Sequence, residues 1–521
     1  MKTLLLNGKV WLNDNSFAKY VGIDSDTGKI IETGIDGCDI RAYDEIIDLK
    51  EKVVLPAFQD GHMHFVYGAI IKSQLDLRYV RTIEEIREKI SDYRKINHGK
   101  KWIAGGYFSE ANFKENFVIG KKLLDELIPD LPACIFRNDL HSCYLNSNAL
   151  GIIGIENLIN KFGREVVTDS SGKPTGELTE RAMIYMTEKV SPLSLTDLSD
   201  IVKMQIKRLH SLGITAVSDI TRSEDVNVYK YLIENNELNL RLDTHLPFEK
   251  YKDTLILAKE YREYRDLIRF RAVKAYYDGS LSSSTALFYE PYKGLNHSGY
   301  RSDFAESGEF KKYGYEIDKA GLQIIVHAIG DRAVSELLDF AEELIRINGI
   351  RERRFRIEHA QHIDEKDIER FKKLDVVVSV QPGHLWFDAD LASEKIINYS
   401  SAHVYKKLID RGVTVNFGSD FPVTEENPFE TIYYAVTRKT KKFPDGFYIE
   451  NSIPLNYCLK AYTLNNAYAC FSESERGLIK TGYFADLIVT DRDIFESDPD
   501  DVKNTEIVYT FFNGKMVYES V

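Results

Sequence analysis

Two hydrophobic patterns alternate along the chain. Short runs rich in β-branched residues end in polar groups, and between them lie longer stretches with apolar residues at helical spacing. The runs are VVLPAFQDGH, ITAVSDI, LRLDTHL, RAVKAYYDGS, LQIIVHAIGD, FRIEHAQH, VVVSVQPGH and TVNFGSDFP. Each reads as a buried strand, whereas DRAVSELLDFAEELIRI, residues 331–347, reads as an amphipathic helix. Strands alternating with helices predict a parallel sheet, and eight such units predict an α/β chain folded as a (β/α)8 TIM barrel.

Spacing refines the layout. His327 and His359 are 32 residues apart, one βα unit of a barrel averaging about 250 residues. His64 and Lys274 are 210 apart, where three units need only about 100. The surplus predicts a large insertion after strand 1, a lid-like subdomain over 70–189 with its own patterned pieces KWIAGGYF, GKKLLDELI and ACIFRNDLHSCYLNS. Both termini alternate in a β pattern, TLLLNGKVWLND at one end and GLIKTGYFADLIVTDRD at the other, and neither can bury a core alone. The expected organisation is a small composite β-sandwich (1–52 plus 465–521), the barrel (53–69 plus 190–464) and the insertion.

Composition narrows the partners. With 521 residues, 43% hydrophobic and 29% charged, the chain has an ordinary globular balance. A formal net charge of −13 argues against nucleic acid or an anionic membrane as partner. Five cysteines, odd in number and without Cys-x-x-Cys spacing, fit a reduced, cytoplasmic setting. The leucines after Thr3 are too few for a signal-peptide core, and no apolar run reaches the length of a membrane span. The expected partner is a small-molecule substrate; assembly into a homo-oligomer is left open.

In a TIM barrel the reacting groups sit at the C-terminal ends of the strands. Here those ends carry His62, His64, Asp219, His245, Lys274, Asp278, His327, His359, Gln381 and Asp420. His62 and His64 are two apart, so a strand presents both to one side, and neutral imidazoles aimed at one point suit a metal ion. Each histidine alone reads better as a satisfied barrel residue than as a ligand. Asp278 with Gly279 fits a strand-to-loop turn. Gln381 and His384 fit substrate contacts or ordinary loop positions, and Asp219 and His245 read as structural.

The order His-x-His, Lys, His, His, Asp on strands one, four, five, six and eight resembles the amidohydrolase superfamily. GYFADLIVTD resembles that family's closing strand. The blocks KAYYDGSLSSSTALFYEPY, HAIGDRAVSELLD and RIEHAQHIDEKDIERFKKLDVVVSVQPGH are similar to the branch containing N-substituted formamide deformylases and exoenzyme regulators. Almost the whole chain takes part. The resemblance implies metal ligation by His62, His64, Lys274, His327, His359 and Asp420, with Lys274 matching a lysine that is often carboxylated. It also implies that His141, in NDLHSCYLNSNAL, approaches the active site; Asp278, Gln381 and His384 are the other candidates for substrate contact.

The chemistry is consistent with that set. Amide hydrolysis is slow because the carbonyl is a poor electrophile and water a poor nucleophile. A divalent ion, zinc with manganese or iron as alternatives, polarises the carbonyl and lowers the pKa of water to about 7. An ammonium at Lys274 would be repelled by such ions, whereas carboxylation by CO2 turns it into a bridging anion. Two divalent cations against a carbamate, Asp420 and hydroxide leave positive charge for a developing oxyanion. A binuclear centre is therefore expected, mononuclear if Lys274 stays unmodified, with Asp420 as proton shuttle. The first reading is a hydrolase of a non-peptide carbon–nitrogen bond in an N-substituted amide or formamide. An esterase or lactonase is the second. The third is a non-catalytic regulator, disfavoured because all six ligand positions are filled.

Overall fold

The computed structural model describes residues 1–97, 101–115, 117–137, 141–190 and 193–520. Eight parallel strands form one sheet: β1 (Phe58–Met63), β2 (Ile214–Asp219), β3 (Arg241–Pro247), β4 (Ile268–Tyr276), β5 (Gln323–Ala328), β6 (Arg356–His359), β7 (Val377–Val380) and β8 (Val415–Phe417). Their order in the sheet is their order in the chain, as repeated strand–helix units require. The sheet closes where β8 runs on into the bridge between Phe421 and Met63. There the Asp420 amide donates to the His62 carbonyl (2.7 Å) and the His64 amide donates to the Phe421 carbonyl (2.9 Å). Barrel closure therefore sets Asp420 beside the two histidines. Among the described residues no helix is long and apolar enough to cross a membrane.

One run behaves differently from its reading. VVLPAFQDGH is not a single barrel strand: Val53–Pro56 pairs with Lys9–Asn13 and with Leu487–Thr490, and only the part from Phe58 enters the barrel. Pro56 has no N–H to continue the ladder. The next two amides then change partners, Ala57 donating to Asp486 and Phe58 to Gly213. The barrel thus starts at residue 58 rather than 53. The terminal strands form a four-stranded sheet and a six-stranded sheet, the latter mixing both ends of the chain. Leu5, Val21, Ile23, Val54, Leu487 and Phe511 share one apolar cluster there. The segment after residue 464, expected in that terminal region, also serves the barrel, since the Asn466 amide donates to the Phe417 carbonyl (2.9 Å) and to that of Gln59.

Residues Tyr67–Val202 form a compact unit of their own. Its sheet has six strands, and the period-2 alternation along them feeds two separate cores. Ile103, Ala133 and Ile135 pack into one, while Ala104, Cys134, Phe136 and Cys143 pack into the other. A sheet buried on both faces in this way needs no further layer to fold.

Packing at the barrel seam is tight. A Cβ on Gly418 would lie 2.3 Å from the His62 amide nitrogen and 2.8 Å from its Cβ. Gly418→Ala must therefore push β8 away from His62. We expect it to destabilise the protein by about 1–3 kcal/mol, the usual cost of overpacking, measured as a lower denaturation midpoint in urea. An unchanged midpoint would show that the seam yields freely.

Candidate metal centre

The donor atoms of His62, His359 and Asp420 lie within 4.8 Å of one another, and all three residues are buried. His62 comes from the end of β1, His359 from the end of β6 and Asp420 from just beyond β8. Asp420 Oδ1 is 3.2 Å from His62 Nε2 and 3.4 Å from His64 Nε2. The His327 ring, from β5, lies 4.5 Å from that of His359, centre to centre. The four imidazoles and Asp420 thus form one group across the C-terminal mouth of the barrel.

Backbone conformation contributes to this aim. His359 and Asp420 have φ of 69° and 59°, in the left-handed region where non-glycine residues are uncommon. In β6, Arg356 and Glu358 are two apart and share a face, so regular alternation would send His359 the opposite way. The left-handed turn at His359 redirects its ring. Strain of this kind persists only where the surroundings over-determine it.

Two of the imidazoles have a partner that decides which nitrogen is left for a ligand. His327 Nε2 faces the Gly279 carbonyl at 3.1 Å, which leaves Nδ1 as its lone pair. Burial, and then Lys274, push its pKa down to about 4, so the ring is neutral. His359 is likewise held well below its ordinary value by burial and by His327. His62 Nδ1 is hydrogen-bonded to Glu358, leaving Nε2 toward Asp420. Burial works against a charged His62, but Glu358 and Asp420 together hold its pKa above the usual value.

Glu358 is the residue the sequence reading missed. It is fully buried and also accepts from Arg356 Nε (2.6 Å), while Arg356 Nη2 donates to the Gly61 carbonyl (2.6 Å). An Arg–Glu–His relay therefore spans the barrel interior from β6 to β1. The available signal was RIEH itself, two charged residues at i and i+2 inside an apolar strand. Asp60 was missed as well: one of its oxygens accepts from the amides of both His62 and Ser419, each at 3.0 Å.

Lys274 lies buried in β4, and its Nζ has no hydrogen-bond partner among the described residues. Burial lowers its pKa to about 8, with Arg356 adding to the shift and Glu358 opposing it. Burial works against the charge on Asp420 too, yet His62, His64 and His359 hold its carboxyl well below the usual range. The donor set fits a divalent cation: imidazoles, of which His327 and His359 are held neutral, one ionised carboxylate and a buried amine without a hydrogen-bond partner. His62, His64, His327, His359 and Asp420 would hold it, and Lys274 would join them once carboxylated.

The remaining candidates separate. His384 is buried, and its Nε2 lies 3.8 Å from Asp420 Oδ2. Gln381 is buried with both side-chain polar atoms unpartnered. Asp278 accepts from the amides of Leu287, Ile329 and Gly330 at 2.9–3.0 Å, so both its oxygens organise the loops after β4 and β5. His141 belongs to the Tyr67–Val202 unit, where it is exposed and lies 3.3 Å from Glu180. Asp219 is structural, accepting from the Phe65 amide and the Tyr229 hydroxyl. His245, also read as structural, lines a cavity of about 540 Å³ together with His64, Lys274, Arg222, Tyr276 and Phe304. That volume suits a small molecule.

Glu358 gives a direct test of the relay. Glu358→Gln keeps the shape but leaves Arg356 with no countercharge and His62 without its carboxylate. Metal affinity should fall about 10–100-fold, read by competition with a chelator, and stability should fall by about 3–5 kcal/mol. Unchanged metal affinity would remove Glu358 from this role.

Comparison with known proteins places this geometry. The sequence pattern of the Amidohydrolase family matches residues 45–518. The chain is 29% identical over 539 residues to the protein LONG AFTER FAR-RED 3 of Arabidopsis thaliana, covering 99% of this chain and 91% of that one. It is 25% identical to N-substituted formamide deformylase of Arthrobacter pascens, covering 99% and 98% of the two chains. Among solved structures, an uncharacterized metal-dependent hydrolase from Pyrococcus furiosus superposes with a TM-score of 0.74 at 24% identity, over 96% of this chain and all of that one. On a match that spans nearly its whole length, the chain belongs to the amidohydrolase family, metal-dependent hydrolases of carbon–nitrogen bonds.

Proposed function

We propose that this chain hydrolyses an N-substituted amide or formamide of small-molecule size. The observation that carries the reading is the convergence of His62, His359 and Asp420 within 4.8 Å, together with the buried amine of Lys274, which with His64 lines a cavity of about 540 Å³. The similarity to N-substituted formamide deformylase over nearly both full lengths supports the substrate class. A divalent ion bound there, zinc or a similar metal, one or two in number, supplies an activated water and a polarised carbonyl.

The chain's own groups do the rest. Asp420 Oδ1 sits between His62 and His64, positioned to take a proton from the attacking water and hand it to the leaving nitrogen. His384 Nε2, buried and without a hydrogen-bond partner, faces the other oxygen of Asp420 and is placed to hold the substrate's polar group. Carboxylation of Lys274 requires the neutral amine, and a buried amine with a pKa of about 8 supplies it at mildly alkaline pH.

Three measurements test this. Metal analysis of the purified protein, followed by assay of N-formyl, N-acyl, ester and lactone compounds, should show amine release from the first two classes; turnover of esters or lactones alone would overturn the assignment. Asp420→Asn should keep the fold and lower kcat by about 10²–10⁴, and substantial remaining activity would exclude the shuttle. With ¹³C-labelled bicarbonate, a carbamate carbon signal should grow as pH rises through about 8, where Lys274 loses its proton, and vanish in Lys274→Met. A signal that falls with rising pH would contradict carboxylation at this amine.

A further inference from the structure

A second cavity lies at the opposite end of the barrel, against the first residues of β4 and the turn leading into β5. It measures about 450 Å³. Its polar lining is unbalanced: four arginines, Arg262, Arg265, Arg269 and Arg271, face one carboxylate, Glu475. This is unexpected in a chain with a net charge of −13.

The pairing is uneven as well. Glu475 is shared, with Arg269 at 2.6 Å and Arg265 at 3.5 Å. Arg265 also borders Asp266 at 3.8 Å, and Arg269 donates to the carbonyls of Arg265 and Phe471. Among the described residues no carboxylate pairs with Arg262 or Arg271. The Arg271 guanidinium lies 3.8 Å over the Phe471 ring, and Arg354 lies 4.1 Å from the same ring. Arg354 does not spare a carboxylate, because Glu352 and Glu473 are both bound to it. Burial, and then Arg354 and Arg269, hold Arg271 below its ordinary pKa, while Glu352 and Glu473 oppose the shift from a distance. Like charges therefore crowd around a guanidinium that stacks on Phe471 but has no paired carboxylate among the described residues.

Most of the rest of the lining is apolar. Tyr261 stands 5.3 Å from Phe270, ring centre to ring centre, the two planes tilted by 51°, and the buried Ile268 and Leu322 also line the cavity. Guanidinium forks match the oxygens of phosphate in pairs, and aromatic faces accept a planar group. We propose that this cavity binds a small organic phosphate, its phosphate on Arg262 and Arg271 and its planar part against the ring of Tyr261 or Phe270. Such a site is separate from the metal centre and does not depend on the activity assigned to it.

Calorimetric titration of the full-length protein with phenyl phosphate, and in parallel with inorganic phosphate, tests this. One saturable site per chain is expected, with phenyl phosphate held at least about fivefold tighter than inorganic phosphate because the ring adds aromatic contact. Combining Arg262→Gln with Arg271→Gln should weaken phenyl phosphate about tenfold or more, while the thermal melt stays unchanged. The conservative Arg271→Lys, which keeps charge but not the fork, should fall between the two. Absence of saturation, equal affinity for the two anions, or binding indifferent to the double substitution would each overturn the assignment.

Discussion

A single buried carboxylate holds both edges of the barrel seam. Asp60 accepts from the amide of His62 on β1 and from that of Ser419 beyond β8, so the strand that starts the barrel and the one that ends it are fixed to one atom. Burial raises the pKa of Asp60 to about 6, with its hydrogen bonds only partly offsetting the desolvation. That cost is tolerated because the seam places a ligand from each strand at a shared point. Gly61 and Gly418 make the approach possible, since a Cβ on either would meet neighbouring atoms at 2.3 Å. Without closure, His62 and Asp420, 358 positions apart in sequence, would have no reason to meet.

From the seam the electrostatics of the mouth follow. Arg356 donates to the carbonyl of Gly61 and to Glu358, and Glu358 holds His62. A fully buried ion pair gains little net stability once desolvation is counted. Its value here is geometric, because it fixes one tautomer of His62 and ties β6 to β1 across the interior. The same pair acts on Lys274 in opposite senses: Glu358, the stronger of the two, favours the charged amine, and Arg356 favours the neutral one. The group that orients a histidine thus also tunes the lysine, and the two effects come from one residue pair.

Much of this was legible in the sequence, and the exceptions have physical causes. All eight strands appear as apolar runs because a parallel barrel strand is buried on both faces. The histidines of the candidate site, Lys274 and Asp420 stood out because charged or polar groups closing such runs are conspicuous. What the runs could not show was the hand-over at Pro56, where hydrogen-bond partners change without any change in hydrophobicity. Glu358 was hidden for the opposite reason. It lies next to His359, and strand alternation assigns neighbours to opposite faces, but a left-handed residue cancels that rule locally. Asp278 carried the right residue type at the right strand end, yet its oxygens are taken by three backbone amides. A sequence shows which group stands at a strand end and not what already occupies it.

The same distinction separates chemistry from specificity in this molecule. The candidate metal-binding groups stand on or just past barrel strands, and His62 and His327 are backed by Glu358 and the Gly279 carbonyl, so their arrangement is set by the barrel. The cavity beside them is lined largely from beyond the strand ends, by Arg222, Glu224, Phe248, Ser302 and Phe304. Asp278 couples two of the loops around the mouth through backbone amides, which hold whatever side chains those loops carry. Substitutions in the loops can therefore alter which substrate fits while Asp420 and the imidazoles keep their positions. A barrel tied this firmly at its seam can change its substrate without rebuilding its metal centre.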